Sequence, residues 1–95
     1  MMTDIERFNQ TIADLESGKV RVAEKIDGEW VVNSWVKETI LSGFRLGKLT
    51  DMTQGQFSFF DKDTIPTRTF TAENGVRIVP GGSSVRTGAY LAPSV

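Results

Sequence analysis

Apolar positions at the start of the chain recur at helical spacing. Steps of three and four residues place four of them on one stripe of an α-helix: Ile5, Phe8, Ile12 and Leu15. Thr3 and Glu6 have the spacing of a capping box, and Ser17-Gly18 is a suitable end for a helix. The pattern therefore predicts a first amphipathic helix between these two signals.

Two short β-prone runs follow the first helix, residues 20–26 and 29–32. They are separated by Asp27-Gly28, a pair favoured in two-residue type I′ turns. A turn of this kind fixes the register and places Lys25 opposite Trp30. The sequence therefore predicts an antiparallel hairpin.

A second helix is predicted from Asn33 or Ser34 to about Leu46. Its inward face carries apolar residues four apart: Val36, Ile40 and Phe44. Gly43 lowers the helix propensity by about 1 kcal/mol relative to alanine, which indicates either a close crossing with another element or a site where the helix frays. Gly47 is expected to end the helix.

The region after the second helix carries weaker patterns. Residues 48–56 read as a loop, and residues 57–60 are a candidate for a short apolar strand. Ile65-Pro66 then marks a bend, because a residue before proline disfavours the helical conformation.

The last part of the chain has a period of six. Val79, Val85 and Leu91 are spaced six residues apart, and the position four residues after each is small or β-branched: Ser83, Ala89 and Val95. Such a repeat is typical of a hexapeptide β-helix, in which the aliphatic side chain points inward. A composition change near residues 72–75 predicts a boundary between an N-terminal α/β domain at residues 1–72 and the start of the repeat at residues 73–95. The predicted helices, hairpin and repeat together give an α+β fold class.

Three hexads make only one coil of such a β-helix. A single coil has unpaired backbone donors and acceptors on both rims, because no neighbouring strand lies about 4.8 Å away. We therefore expect the chain to be the front portion of a longer protein, truncated as its repeat begins. The alternative is a disordered tail rich in Gly, Ser and Pro, in which the period arises by chance.

Composition limits the chemistry that the chain can perform. The 95 residues include neither cysteine nor histidine, which excludes disulfides, thiol nucleophiles, imidazole bases and zinc sites built on these side chains. The net charge of -1 predicts no broad surface for nucleic acid or an anionic membrane. We find no membrane-spanning apolar run and no signal peptide, so the expected location is the cytosol.

Several runs of the sequence together resemble the tetrahydrodipicolinate N-succinyltransferases of lysine biosynthesis through diaminopimelate. The resemblance covers roughly residues 15–95, and two of its motifs are specific: Arg21-Val-Ala-Glu-Lys-Ile-Asp-Gly-Glu-Trp30 and Gly75-Val-Arg-Ile-Val-Pro80. The shorter matching runs are Trp35-Val-Lys, Ile40-Leu, Phe44-Arg45, Phe60-Asp-Lys62, Val85-Arg86 and Gly88-Ala-Tyr.

The resemblance implies a cytosolic homotrimeric acyltransferase with an N-terminal α/β domain and a left-handed parallel β-helix. Such enzymes transfer succinyl from succinyl-CoA to tetrahydrodipicolinate, at active sites between subunits. The family's acidic catalytic residues and CoA-binding coils lie beyond Val95. The resemblance therefore assigns no catalytic and no cofactor-binding residue to this chain, and the 95 residues are expected to be inactive by themselves.

Two arginines are the candidate ligand-binding residues. Arg77 matches the family arginine that holds a substrate carboxylate, a task that suits the planar donors of a guanidinium; the other interpretation is a surface charge beside a strand. Arg86 lies in the same acid-free stretch and is a candidate anion contact. Asp61-Lys-Asp63 lacks the glycine and later acidic ligands of a calcium loop, so we predict no metal site.

A second function remains open from the residues alone. The chain could be a free-standing α/β interaction module that uses the hairpin and its two tryptophans as a contact face. This hypothesis predicts a folded monomer that does not need residues 79–95, whereas a truncated acyltransferase predicts exposed edges and weak stability.

Overall fold

The computed structural model describes residues 2–95 of the chain. Its elements are two helices, α1 (Asp4–Ser17) and α2 (Ser34–Leu46), and four strands, β1 (Ala23–Ile26), β2 (Glu29–Val32), β3 (Leu49–Asp51) and β4 (Phe60–Lys62). A single 3-10 turn, Ala72–Asn74, lies where the composition changes. The chain is thus a small α+β structure with two separate two-stranded sheets, β1-β2 and β3-β4.

Both ends of α1 form as the sequence predicts. The Thr3 hydroxyl accepts a hydrogen bond from the Glu6 backbone N–H, and the Glu6 carboxylate accepts one from the Thr3 N–H at 3.2 Å. Gly18 ends the helix in the left-handed region at φ 84°, where a residue with a Cβ is strained. Phe8 and Thr11 are the buried residues of this helix.

The predicted β1-β2 hairpin is confirmed, although β1 begins only at Ala23. Lys25 pairs with Trp30 in the antiparallel register, and the turn residues Asp27 and Gly28 have φ values of 51° and 83°. Positive φ at both central residues is what a type I′ turn requires. Every residue of the two strands is exposed, with Trp30 71% exposed.

The two helices cross at Gly43, which confirms the close-crossing interpretation of this residue. A Cβ at Gly43 would overlap the Phe8 ring, so glycine is the residue that allows the contact. Phe8 and Val36 are fully buried, and each contributes about 1.5–3 kcal/mol by leaving water. The hydrophobic core is small, because Ile65 is the only other buried hydrophobic residue in the described chain.

The prediction of a plain loop at residues 48–56 was wrong. Residues 49–51 form β3, which pairs antiparallel with β4, and the hairpin extends to a bridge between Gln54 and Phe57. The turn at its tip contains Gly55 at φ 59°. The strand predicted at residues 57–60 forms instead at residues 60–62, as β4. Sequence reasoning missed β3 because its residues, Leu-Thr-Asp, are too few to show an alternating pattern.

Residues 75–95, hereafter the tail, contain no helix or extended strand. Five residues of the tail have positive φ, namely Gly75, Gly81, Gly82, Gly88 and Ser94. Three of them, Gly82, Gly88 and Ser94, are six residues apart, at 136°, 95° and 73°. The two ends of the tail meet through backbone hydrogen bonds: Arg77 N–H donates to the Val95 carbonyl at 2.8 Å and Ser94 N–H to the Gly75 carbonyl at 2.7 Å.

The chain is extended for its length. Its radius of gyration is 15.2 Å, compared with about 12.4 Å for a compact domain of this size. The accessible surface of 7192 Å² is about a third larger than the roughly 5,400 Å² of a typical folded monomer of this mass. The fold therefore leaves apolar surface uncovered.

Candidate functional site

A cleft of about 690 Å³ lies between the β3-β4 hairpin, residues 65–70 and the tail. Its walls combine aromatic side chains from the hairpin with hydroxyl side chains from the tail, such as Ser83 and Ser84. Two arginines, Arg68 and Arg86, line this cleft, and Asp61 is the one carboxylate among its lining residues. We refer to this space as the tail cleft.

Arg86 is held in the tail cleft by its backbone. It forms an antiparallel bridge with Thr67, and the next residue, Thr87, donates its N–H to the Pro66 carbonyl at 2.9 Å. The Arg86 guanidinium forms an ion pair with Asp61 through Nη2 and Oδ2. The Arg86 side chain remains 53% exposed, so the predicted anion contact is accessible and is occupied by a carboxylate of the chain itself.

Arg77 lies outside the tail cleft, although its neighbour Ile78 lines it. Its backbone N–H closes the tail on Val95, and its side chain is exposed. Within residues 2–95 the guanidinium makes no hydrogen bond or ion pair. The structure thus places Arg77 and Arg86 in the same tail without bringing them into one site. The role of Arg77 as a carboxylate clamp stays a prediction.

Arg68 is a residue that sequence reasoning missed. Its side chain is 16% exposed, its Nε lies 3.0 Å from Oε1 of Glu16, and its Nη1 donates to the Ala89 carbonyl at 2.8 Å. The guanidinium also lies 4.5 Å above the Phe70 ring. Glu16 accepts a further hydrogen bond from the Gly88 N–H at 3.3 Å. No sequence pattern links Glu16 to Arg68, because 52 residues separate them.

Side chains also pack closely on glycine residues where α1 meets the tail. The Tyr90 ring lies 3.3 Å from the position of a Cβ at Gly18, and Ile12 lies 3.3 Å from that of a Cβ at Gly88. Arg21 lies 4.4 Å above the Tyr90 ring in a cation–π contact. These contacts and the Arg68 bonds fix the tail against the first helix.

The β3-β4 hairpin contains the clearest electrostatic perturbation. The hydroxyl and backbone N–H of Thr53 hydrogen-bond to Asp51, and they lower the pKa of its carboxyl below the usual value. The backbone bond measures 2.9 Å from Thr53 N to Asp51 Oδ1. Hydrogen bonds to the ionised form favour it, which explains the direction of the shift.

No group of three or more acidic, cysteine or histidine side chains gathers anywhere in residues 2–95 to hold a metal ion. Over the same residues, neither helix has the length and apolar character needed to cross a membrane.

Comparison with known proteins gives a consistent result. Residues 3–46 match the family described as tetrahydrodipicolinate N-succinyltransferase N-terminal. Among curated proteins, the 2,3,4,5-tetrahydropyridine-2,6-dicarboxylate N-succinyltransferase of Methylococcus capsulatus is 46% identical, and that of Dechloromonas aromatica is 42% identical. Each match covers 95% of this chain and 34% of the relative. The chain therefore spans about a third of the length of these relatives, at their N-terminal end.

Proposed function

Because this chain belongs to the tetrahydrodipicolinate N-succinyltransferase family, of which it covers the N-terminal third, we propose that it acts as part of such an enzyme. The enzyme would transfer succinyl from succinyl-CoA to tetrahydrodipicolinate in the diaminopimelate route to lysine, in the cytosol. The observation that carries the proposal is the sequence identity of more than 40% over nearly the whole chain.

The proposed reaction is an attack on a thioester by the amino group of ring-opened tetrahydrodipicolinate. Water adds to the cyclic imine, the bond from that carbon to nitrogen breaks, and a ketone and a free amine result. The amine nitrogen forms an amide bond with the succinyl carbonyl carbon, the bond from that carbon to sulfur breaks, CoA leaves, and the nitrogen loses a proton. Much of the rate in such a step comes from orienting the two reactants. We propose that the acid–base groups and the CoA site belong to the two thirds of the relatives that this chain does not match.

We propose Arg77 as the residue of this chain that binds a substrate carboxylate. The exposed guanidinium has no partner within residues 2–95, so its planar donors are available for a bidentate pair with a carboxylate. Its backbone is fixed by the hydrogen bond to Val95, which holds the base of the side chain in place. A binding group on a fixed backbone loses less conformational freedom when the ligand binds.

We also propose that a left-handed parallel β-helix starts at residues 73–95 and that the tail forms most of its first coil. Two features of the tail support this. Three of the five positive-φ residues of the tail, Gly82, Gly88 and Ser94, are six residues apart. The hydrogen bond between Arg77 and Val95 joins residues separated by three hexads. Val79 is 68% exposed and would be covered only once further coils stack on the tail.

We propose that the active enzyme is a homotrimer with active sites between subunits. The support is the excess accessible surface of the chain and the exposure of the β1-β2 hairpin on both faces. Large exposed apolar patches mark interaction sites in soluble proteins. The same exposed hairpin is what the interaction-module hypothesis requires, so the exposure of the hairpin does not by itself separate the two hypotheses.

A chimeric enzyme tests the proposed function. The 95 residues replace the matched N-terminal part of the Methylococcus capsulatus relative, and CoA release is measured with succinyl-CoA and tetrahydrodipicolinate. We expect substrate-dependent CoA release from the chimera. Loss of the Arg77 carboxylate pair in Arg77→Ala should raise the KM for tetrahydrodipicolinate about tenfold or more, because a charge-assisted hydrogen bond contributes about 1.5–3 kcal/mol.

Two control variants sharpen this experiment. Arg77→Lys keeps the charge but loses the planar guanidinium. Its KM should therefore lie between that of the unsubstituted chimera and that of Arg77→Ala. Arg45→Ala removes an equal charge from α2 and should leave KM unchanged. A chimera with a native-like circular dichroism spectrum but no CoA release would contradict the proposed function. Unchanged kinetics in Arg77→Ala would contradict the clamp alone.

A further inference from the structure

We propose that the tail cleft is a binding site for aliphatic carboxylates, with Arg86 as the anion-binding residue and Asp61 as an internal carboxylate that occupies the site in the absence of ligand. This site goes beyond the proposed acyl transfer. It lies wholly within this chain and does not depend on the family assignment.

The backbone around Arg86 is fixed on both sides. Arg86 forms a bridge with Thr67, Thr87 N–H donates to the Pro66 carbonyl, and Arg68 N–H donates to the Val85 carbonyl at 2.7 Å. The guanidinium therefore extends from a rigid base into an accessible cleft. Preorganisation of this kind reduces the entropy lost when a ligand binds.

The ion pair with Asp61 leaves most of the Arg86 guanidinium unused. Asp61 contacts Nη2 through Oδ2 only, because its Oδ1 accepts the backbone N–H of Lys62 at 2.8 Å. A guanidinium has five N–H donors and pairs best with both oxygens of a carboxylate. A free carboxylate can supply both oxygens, so it fits Arg86 better than the side chain that now occupies the site.

The charge of the tail cleft favours an anion once Asp61 is displaced. Asp61 is the one carboxylate among the lining residues, and the tail itself has no acidic side chain. The second lining arginine, Arg68, is already bonded to Glu16 and the Ala89 carbonyl. Arg86 is therefore the cation of this cleft that can exchange its partner for a ligand.

The walls of the tail cleft indicate the rest of the ligand. The β3-β4 hairpin and residues 65–70 contribute mainly aromatic and aliphatic side chains: Phe57, Phe59, Phe60, Ile65 and Phe70. Such walls stabilise a methylene chain by removing it from water, and they offer nothing to a fully hydrated inorganic anion. The tail contributes the hydroxyl groups of Ser83 and Ser84 together with the aliphatic side chains of Ile78 and Val85. The chemistry therefore favours a carboxylate with an aliphatic stem over phosphate.

A titration of the isotope-labelled 95-residue chain tests the site. Hexanoate, acetate and inorganic phosphate are added in separate NMR titrations, and the Arg86 Nε–Hε signal and the backbone amides of residues 84–87 are followed. We expect saturable shifts of these signals with hexanoate, a weaker response to acetate, and the weakest to phosphate. Equal affinity for phosphate and hexanoate would overturn the assignment to carboxylates.

The Asp61→Asn variant is the decisive arm of the test. In the unmodified chain the ligand must break the ion pair between Arg86 and Asp61, and an exposed ion pair contributes up to about 1 kcal/mol. Removal of the internal carboxylate should therefore lower the Kd for hexanoate about two- to fivefold. Asp27→Asn removes the same charge from the β1-β2 turn, where asparagine tolerates positive φ, and should leave the affinity unchanged. An unchanged or weaker affinity in Asp61→Asn overturns the proposal.

Variants of Arg86 complete the experiment. Arg86→Gln should abolish the saturable shifts, and Arg86→Lys should weaken them, whereas Arg45→Gln should bind hexanoate like the unmodified chain. Retained binding in Arg86→Gln overturns the proposal. Because a gain of affinity cannot arise from unfolding, the Asp61→Asn result decides the question even where Arg86→Gln fails to fold. Neither result bears on the chimeric enzyme, so the two proposals fail separately.

Discussion

The helical pair α1 and α2 and the tail are stabilised in different ways. The helices pack through a fully buried ring, Phe8, against a glycine, Gly43, and α1 has a capping box at its start and a left-handed glycine at its end. The tail has no buried hydrophobic residue among residues 75–95. It is fixed by backbone hydrogen bonds and by polar contacts to Arg68 and Glu16.

This difference indicates which part of the chain can stand alone. A packed ring contributes its stabilisation within the chain itself. By contrast, the exposed aliphatic side chain of Val79 contributes little until something covers it. Within residues 2–95 the tail is therefore stabilised mainly by its polar contacts, whereas the helical pair is stabilised by apolar burial.

The largest expected change in the free energy of unfolding comes from a substitution in the helical pair. Gly43→Ala places a Cβ into the Phe8 ring, and overpacking of this kind should lower the free energy of unfolding by about 1–3 kcal/mol, measured by urea denaturation. Phe8→Leu in the same background should recover part of the loss, because the smaller side chain gives space to the new methyl group. Additive effects of the two changes would contradict the close crossing.

The next effect concerns the attachment of the tail. Arg68→Met keeps an unbranched apolar stem but removes the bonds to Glu16 and the Ala89 carbonyl, and should lower the free energy of unfolding by about 1–2 kcal/mol. Amide hydrogen exchange should accelerate in the tail before it accelerates in the helices. Arg7→Met breaks only an exposed pair with Asp4 and should change stability by less than about 0.5 kcal/mol.

The smallest effect is a pH dependence in the β3-β4 hairpin. The pKa of Asp51 is lowered in the folded chain, so its ionised form stabilises the hairpin at pH values above the unfolded pKa. That contribution is lost as the pH falls through the lowered, folded pKa. An NMR titration should give Asp51 a midpoint below that of an unstructured aspartate, and Thr53→Val should raise it. A midpoint unaffected by Thr53→Val would contradict the assigned cause.

Local signals predicted the first half of the chain well. The helices, their ends and the β1-β2 register follow from residues that lie close in sequence, such as Thr3 with Glu6 and Asp27 with Gly28. These signals act within one helical turn or one hairpin, so the chain displays them directly.

The candidate site was less predictable because its contacts join distant residues. Arg86 was identified as a candidate from the absence of acidic residues around it, but nothing in the sequence connects it to Asp61, 25 residues earlier. The Arg68–Glu16 pair was missed for the same reason. Long-range pairs of this kind depend on how the elements pack, which single-residue patterns do not encode.

The central claim is that the tail closes on itself as one turn of a six-residue repeat. NMR detection of scalar couplings across hydrogen bonds tests it most directly in the labelled chain. We predict correlations from the Arg77 amide to the Val95 carbonyl and from the Ser94 amide to the Gly75 carbonyl. The absence of both correlations, with rapid amide exchange and unstructured chemical shifts throughout residues 75–95, would contradict the claim.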